Sequence, residues 1–385
     1  MAFPSSSCNQ ILVKGNLRVK TIILNRPQKY NAIAHQMILQ LLKELRSFER
    51  DPDVKLVIIK GEGKAFCSGG DVPAVIQFVT AGHWTFGALF HKKMLSLDYL
   101  IATYKKPQVF LINGAVMGAG AGLSMHGTFR VVTEKTVFAM PEASIGTFPD
   151  VGASHFLSKL PGFLGEYLGL TGARIDGPEM LACGLATHFV LSKNLPLLEE
   201  SLFAAGTDDS SIIHKSILKY EHQATLKKGN VFQRLDLINK CFSKQSVEEI
   251  LSSLEHELEQ GKDEWIAAAI KSIKMVSPIS LKLFLRSIRQ GRFQELDQCL
   301  IREYRMVSHV LRRTVSSDLY EGTRAKLLDR DNNPKWEPSK LELVSDDMLD
   351  KYFTNVDKEE DWEDLKLPSR RKSIKVQEAD ILSRI

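Results

Sequence analysis

Residues 108–122 read QVFLINGAVMGAGAG, and this stretch decides the fold. The apolar run 108–112 predicts a buried strand, and the glycine-dense run that follows predicts a turn into a helix near 120–127. Small residues allow close helix packing, and they also let a helix N-terminus point free amides at an anion. A nucleotide site is disfavoured, because Gly-x-x-x-x-Gly-Lys-Ser/Thr is absent and GAGAG does not fit Gly-x-Gly-x-x-Gly.

The flanking sequence repeats this alternation of strands and helices. Strands are predicted at 17–25, 56–60, 129–133 and 136–140, and helices at 35–49, 85–104 and about 152–160. From about 197 to 330 the pattern is helical. We therefore predict an α/β fold with three parts, residues 1–195 as the ligand-binding core, 196–340 as a helical region and 341–385 as a charged tail.

Composition excludes several classes of protein. The 385 residues are 44% hydrophobic with a net charge of +5, and no basic run with interleaved aromatics suggests nucleic acid. Five scattered cysteines without a CxxC pair predict neither a disulfide framework nor a zinc site. No apolar run approaches the roughly 20 residues of a membrane-spanning helix. We also expect no signal peptide and no mitochondrial presequence at the N-terminus.

Two further segments are candidates for chemistry. AFCSGGD (65–71) directly follows a predicted strand, and its glycines let a backbone N–H approach a ligand, although an ordinary turn would look the same. MPEASIGTFPDVG (140–152) places Glu142 and Asp150 eight residues apart in a largely apolar loop. Burial would raise both pKa values, and such a pair can divide acid, base or nucleophile duties. Alternatively, Glu142 pairs with a basic side chain and Asp150 caps a helix.

Taken together, the three segments resemble the crotonase superfamily, which has a first oxyanion loop, a second glycine-rich oxyanion loop and then a Pro-Glu loop. The resemblance covers roughly residues 10 to 365 and implies a repeated ββα spiral core with a mainly helical C-terminal region. The stretches that match the 3-hydroxyisobutyryl-CoA hydrolase branch are FPDVG (148–152), LTGAR (170–174), GLATHFV (184–190), Glu321-Gly322 with Arg324-Ala325, and Asp329 through Pro334 to Trp336.

The resemblance also implies roles for individual residues. The backbone N–H groups of Gly70 and Ala119 would bind the thioester oxygen. Glu142 would attack the carbonyl or activate water, and Asp150 would contact the substrate hydroxyl or position water. Expected CoA and substrate contacts are Arg26, Lys29, Asn31, Ala65 and Met94.

Four positions depart from what relatives carry. Hydratase relatives have a second glutamate where this chain has Gly122, so water addition to an enoyl-CoA is disfavoured. Lys93 and Met94 stand near an acidic pair of the hydrolase branch, which puts substrate recognition in question. His155 replaces an aromatic residue, and a packing histidine is the reading we favour.

The expected function is hydrolysis of a short branched 3-hydroxyacyl-CoA, 3-hydroxyisobutyryl-CoA of valine catabolism, without metal or redox cofactor. The alternatives are an enoyl-CoA hydratase or isomerase and a non-catalytic acyl-CoA-binding protein. Ser383-Arg384-Ile385 resembles the peroxisomal Ser-Lys-Leu address. We therefore expect a peroxisomal enzyme with an import receptor as partner, or otherwise a cytoplasmic one; a homo-oligomer is a further expectation.

Overall fold

The computed structural model describes residues 9–356 and 362–370. Over these residues the strands are β1 (Ile11–Gly15), β2 (Val19–Leu24), β3 (Leu56–Gly61), β4 (Ala65–Cys67), β5 (Gln108–Ile112), β6 (Ala115–Met117), β7 (Phe129–Val132), β8 (Val137–Ala139), β9 (Ile175–Asp176) and β10 (His188–Phe189). The helices of the first half are α1 (His35–Arg50), α2 (Val72–Ala81), α3 (Trp84–Ala102), α4 (Ala119–Met125), α5 (Ala153–Phe156), α6 (Leu164–Thr171) and α7 (Gly177–Ala182).

The second half is helical, as the sequence predicts. Its helices are α8 (Leu195–Ala205), α9 (Ser210–Leu218), α10 (Leu235–Phe242), α11 (Val247–Gln260), α12 (Glu264–Met275), α13 (Pro278–Gly291), α14 (Leu296–Arg312), α15 (Asp318–Thr323) and α16 (Asp346–Phe353), with a π-helical turn at Arg324–Leu328. In the described part of the chain, no helix is both long and apolar enough to cross a bilayer.

The strands form two sheets. The larger sheet has the order β1-β2-β3-β5-β7-β10, in which β1 is antiparallel to β2 and the remaining neighbours are parallel. The smaller sheet has the order β4-β6-β8-β9, with β9 antiparallel to β8. Strands β3, β5 and β7 carry continuous or nearly continuous buried residues, as expected for parallel strands covered on both faces.

A repeated ββ unit explains how the two sheets are related. The pairs β3–β4, β5–β6 and β7–β8 each contribute one strand to the larger sheet and the next to the smaller one. Helices follow the first two pairs, namely α2 and α3 after β4 and α4 after β6. The predicted α/β fold with a ββα spiral is therefore confirmed. Among the elements that the sequence did not reveal are β1, β6, α2 and β4, the last in a stretch that was expected to be a loop.

The C-terminal helices pack onto the spiral. Helix α14 lies against α3, and both contribute side chains to one apolar core that continues through α10–α13. Residues 341–385, expected as a charged tail, include α16, whose Leu349 and Tyr352 are buried. Farther along, Trp362 stacks on Tyr304 with ring centroids 5.5 Å apart. These apolar side chains stabilise the segment despite its acidic surface.

Candidate active site

A cavity of about 410 Å³ lies where the turns that follow the short strands converge. Its lining contains Glu142, Asp150, Gly70 and Ala119, the four residues for which the sequence predicts a direct role in the reaction. The walls are mostly apolar and come from both halves of the chain, with Phe90 of α3 on one side and Val307 of α14 on another. A mostly apolar cavity with a few polar groups is typical of a site for a small-molecule ligand.

The carboxyl group of Glu142 is buried at the floor of this cavity. Glu142 is the first residue of a 3-10 turn, Glu142–Ile145, and only 8% of the residue is exposed. Oε2 has no hydrogen-bond partner among residues 9–356 and 362–370. Burial, together with the negative charge of Asp150, raises the pKa of Glu142 to about 8. A large share of Glu142 is therefore protonated at neutral pH in the ligand-free protein.

The backbone next to Glu142 requires glycine. Gly118 has φ +49° and ψ −122°, a conformation that residues with a Cβ avoid. A Cβ on Gly118 would also lie 2.7 Å from Oε1 of Glu142. The second glycine-rich turn thus allows the backbone to contact the carboxyl group directly.

Asp150 follows at the end of the same loop, with 14% of its side chain exposed. Burial raises its pKa to about 7. Its Oδ2 lies 3.9 Å from Nε2 of His91, beyond hydrogen-bond distance. Nδ1 of His91 lies 2.9 Å from the carbonyl oxygen of Gly87, to which it donates, and burial lowers the pKa of this imidazole. His91 is therefore neutral, and it forms no ion pair with Asp150.

Two main-chain N–H groups face the cavity without a partner. In the described part of the chain, the amides of Gly70 and Ala119 donate to no carbonyl oxygen or side chain. Gly70 follows β4, and Ala119 is the first residue of α4, where the N–H groups of a helix lack intrahelical acceptors. They are available to an oxygen atom of a ligand.

Position 122 has no room for an acidic side chain. A Cβ on Gly122 would lie 2.4 Å from Cβ of Val151 and 3.2 Å from Oδ2 of Asp98. A second glutamate of the hydratase kind therefore cannot occupy this position without displacing the 150–152 turn. The sequence analysis did not single out Asp98, a fully buried carboxyl group of α3. Burial, followed by the charges of Asp150 and Glu303, raises its pKa well above the ordinary value.

The expected CoA-binding residues fall into two groups. Lys29 and Met94 line the cavity, whereas in the described residues Arg26, Asn31 and Ala65 do not. Arg26 pairs with Asp71 at 2.9 Å. The amide of Asn31 donates to the carbonyl oxygens of Glu62 and Ala65 at 2.9 and 2.8 Å. The latter three residues thus support the loops beside the cavity, and a role for them in CoA binding stays a prediction.

Lys93 and His155, two of the positions at which this chain departs from its relatives, lie away from the carboxyl groups of Glu142 and Asp150. Lys93 lies in a shallow groove beside Arg46 and Arg50 of α1, so it does not replace an acid inside the cavity. His155 lies on α5 with Nε2 2.7 Å from Nζ of Lys159. Neither residue lines the cavity in the part of the chain that the structure describes.

Sequence reasoning missed the part of the cavity that comes from the C-terminal region. Val307, Leu319, Lys326 and Leu327 line it, and they come from α14, α15 and the π-helical turn. The sequence carried one signal: Glu303 lies on the buried face of α14, between Leu300 and Val307. An acid at helical spacing within an apolar face indicates a buried polar contact.

Comparison with known proteins agrees with this architecture. The family profile described as enoyl-CoA hydratase/isomerase matches residues 19–353. Two proteins of Arabidopsis thaliana are similar over most of their length. "Probable 3-hydroxyisobutyryl-CoA hydrolase 3" is 54% identical over 95% of this chain and 97% of its own length. "3-hydroxyisobutyryl-CoA hydrolase 1" is 53% identical over 96% and 97%.

A solved structure is similar over nearly the whole described fold. It is a carnitinyl-CoA dehydratase from Mycobacterium thermoresistibile, 31% identical, with a TM-score of 0.84 over 93% of this chain and 98% of that one. The resemblance expected from the three loops is therefore confirmed, and the chain belongs to the enoyl-CoA hydratase/isomerase family, the crotonase superfamily.

Proposed function

We propose that this protein hydrolyses 3-hydroxyisobutyryl-CoA to 3-hydroxyisobutyrate and CoA. The observation that carries the proposal is that one cavity contains two buried carboxyl groups, Glu142 and Asp150, and two unpartnered N–H groups. The names of the similar Arabidopsis proteins support the choice of acyl group. Valine breakdown is the pathway in which we place this substrate.

The two N–H groups would act on the thioester oxygen. As a nucleophile adds to the carbonyl carbon, negative charge develops on that oxygen, and the amides of Gly70 and Ala119 would stabilise it as an oxyanion hole. Each such donor is worth about 3 kcal/mol of transition-state stabilisation. Main-chain donors are insensitive to side-chain identity, which is why alanine at position 119 is compatible with the role.

Glu142 would perform the central step in its ionised form. Either its carboxylate attacks the carbonyl carbon, the C–S bond breaks and water cleaves the resulting anhydride, or it takes a proton from a water molecule that attacks directly. Asp150 would contact the 3-hydroxyl group or position the water. In a single turnover in ¹⁸O-labelled water, label in the Glu142 side chain would establish the anhydride route with water attacking the carboxyl carbon of Glu142, because direct hydrolysis places the label only in the product.

Release of CoA, followed with a thiol reagent, tests the proposal. Wild type, Glu142→Gln, Asp150→Asn and Glu166→Gln receive 3-hydroxyisobutyryl-CoA. Glu166 is a matched control, because it is fully buried but pairs with Arg292 at 2.7 Å and does not line the cavity. We expect rapid release by wild type and the control, and a loss of about a hundredfold or more in the two site variants.

Two outcomes would contradict the proposal. No release above background by folded wild type would exclude the hydrolase, and tight binding of the substrate without turnover would instead indicate a binding protein. Hydration of crotonyl-CoA at a rate above thioester hydrolysis would indicate a hydratase, against the packing around Gly122.

We also propose that the enzyme works in peroxisomes through Ser383-Arg384-Ile385, which lies outside the described residues. A fluorescent fusion to the N-terminus, with and without these three residues, tests this. Peroxisomal signal that disappears with the deletion is the expected result, and equal cytosolic signal from both would contradict it.

A further inference from the structure

The turn that follows Asp150 has an unfavourable backbone conformation. Val151 has φ +55°, and Gly152 has φ +80°. A β-branched residue with positive φ is uncommon, because its Cβ crowds the neighbouring carbonyl groups. Such a conformation persists only where surrounding contacts hold it in place. Contacts from other parts of the chain must therefore stabilise this turn.

Glu303 of α14 supplies most of these contacts, although it is about 150 positions away in the sequence. Its side chain has no exposed area. One carboxylate oxygen accepts from the N–H of Gly152 at 2.7 Å. The other accepts from the N–H and the hydroxyl group of Ser154 at 3.1 and 2.6 Å. Both carboxylate oxygens of Glu303 thus accept hydrogen bonds, one from Gly152 within the turn and the other from Ser154 just after it.

The hydrogen bonds indicate which ionisation state Glu303 has. Two N–H groups and one O–H group point at the same carboxylate, and Arg302 donates to the hydroxyl oxygen of Ser154 at 2.8 Å. Only an ionised carboxylate can accept from all three donors without losing an acceptor site to its own proton. Burial outweighs the hydrogen bonds from Ser154 and Gly152 and the charge of Arg302, so that the pKa of Glu303 is raised to about 7.

A second contact reaches the turn from His126, the residue that follows α4. Nε2 of His126 donates to the carbonyl oxygen of Val151 at 2.9 Å. Burial lowers the pKa of His126 to about 4, so the ring is neutral and carries its proton on Nε2. Both polar groups of the Val151–Gly152 peptide are therefore bound, the carbonyl oxygen by His126 and the N–H by Glu303 of α14.

We propose that Glu303 is a positioning residue for the thioester reaction, because its hydrogen bonds to Gly152 and Ser154 set where the Asp150 carboxyl group lies. This inference rests on the proposed function. It assigns a task in the active site to the C-terminal helical region, whose Val307, one turn farther along α14, also lines the cavity. Glu303 itself is not in the described lining, so it acts through the 150–152 turn.

The test compares Glu303→Gln with Glu166→Gln, another fully buried carboxyl group, which does not line the cavity. A glutamine at 303 keeps the shape but puts an NH₂ group in place of one acceptor oxygen, so at least one hydrogen bond is lost. A small misplacement of a reacting group lowers turnover steeply, by about a hundredfold for 1 Å. We expect kcat of Glu303→Gln for 3-hydroxyisobutyryl-CoA to fall by about ten- to a hundredfold. Its KM and its affinity for free CoA should change by less than about threefold.

The control separates positioning from general loss of structure. Glu166→Gln removes a buried charge elsewhere and should keep kcat within about threefold of wild type. If wild type is active and folded Glu303→Gln has wild-type kcat, the positioning proposal is overturned while the proposed function stands. If wild type itself is inactive, the function fails first.

A second variant covers the case in which Glu303→Gln does not fold. Ser154→Ala removes the hydroxyl group that donates to Glu303 but leaves both N–H donors in place. A lower kcat at unchanged KM in this variant supports the proposal. Wild-type kcat in folded Ser154→Ala overturns it.

Discussion

Replacing Asp98 by asparagine should make the folded chain increasingly more stable than wild type as the pH rises. Asp98 has no exposed area, and neither of its oxygens has a hydrogen-bond partner among residues 9–356 and 362–370. Burial is the main cause of its raised pKa, and the charges of Asp150 and Glu303 add to it. Asparagine has nearly the same shape and is neutral at every pH, so it reproduces the protonated side chain.

The sign and the size of this stability difference follow from the numbers of protons that the folded and unfolded chains bind. Between the unfolded pKa, near 3.8, and the raised folded pKa, the folded wild type binds more protons than the unfolded chain. Its free energy of unfolding therefore falls with pH, by at most about 1.4 kcal/mol per pH unit. Relative to Asp98→Asn, wild type should therefore become steadily less stable as the pH rises from 5 to 7. The difference should become constant only well below the unfolded pKa, at about pH 3 and lower, where Asp98 is protonated in both states.

Urea unfolding, followed by the fluorescence of the four tryptophans, measures this difference at several pH values. The decisive quantity is the slope of the difference with pH, because any fixed cost of the amide group cancels. Asp53→Asn, at an exposed position, is the control for the Asp-to-Asn substitution itself. If the stability difference between Asp98→Asn and wild type does not change with pH, the argument is refuted, because Asp98 would then be charged in the folded protein.

Three other predictions concern the site. Gly118→Ala should lower CoA release by about a hundredfold in a folded protein, because the new Cβ would lie 2.7 Å from Glu142 Oε1; undiminished release would contradict this. Gly122→Ala should reduce the free energy of unfolding by about 1–3 kcal/mol, measured with urea, because its Cβ would overlap Val151; an unchanged midpoint would count against it. The rate of CoA release should rise from pH 6 toward 8 as Glu142 ionises, and a flat profile would rule out that dependence.

Local patterns in the sequence were sufficient for the main elements. The apolar runs 56–60 and 108–112 are strands β3 and β5, and the helical spacing of Leu41, Leu45 and Phe48 matches the buried face of α1. These predictions succeed because the side-chain periodicity of a strand or helix is set within a few residues. The motif order likewise predicted that Glu142, Asp150, Gly70 and Ala119 would share a cavity.

Short elements were missed for a physical reason. Strand β6 has three residues inside a glycine-rich run, and it exists because it pairs with β4 and β8. Pairing between distant segments leaves little trace in the local sequence. The contacts of Arg26 and Asn31, which were expected to bind CoA, were equally hard to predict from local sequence. Their polar groups donate to carbonyl oxygens of the loops beside the cavity.

The sequence by itself therefore determined the fold class, because glycine turns and hydrophobic periodicity act locally, and its resemblance to the crotonase superfamily indicated the family and four residues of the cavity lining. Only the tertiary structure decided which groups surround them. Helix α14 brings Glu303 to the strained turn at Val151, and α3 brings Asp98, whose pKa is raised by burial, next to Gly122. These contacts join segments more than a hundred residues apart or depend on burial, and burial sets the pKa values on which the chemistry depends.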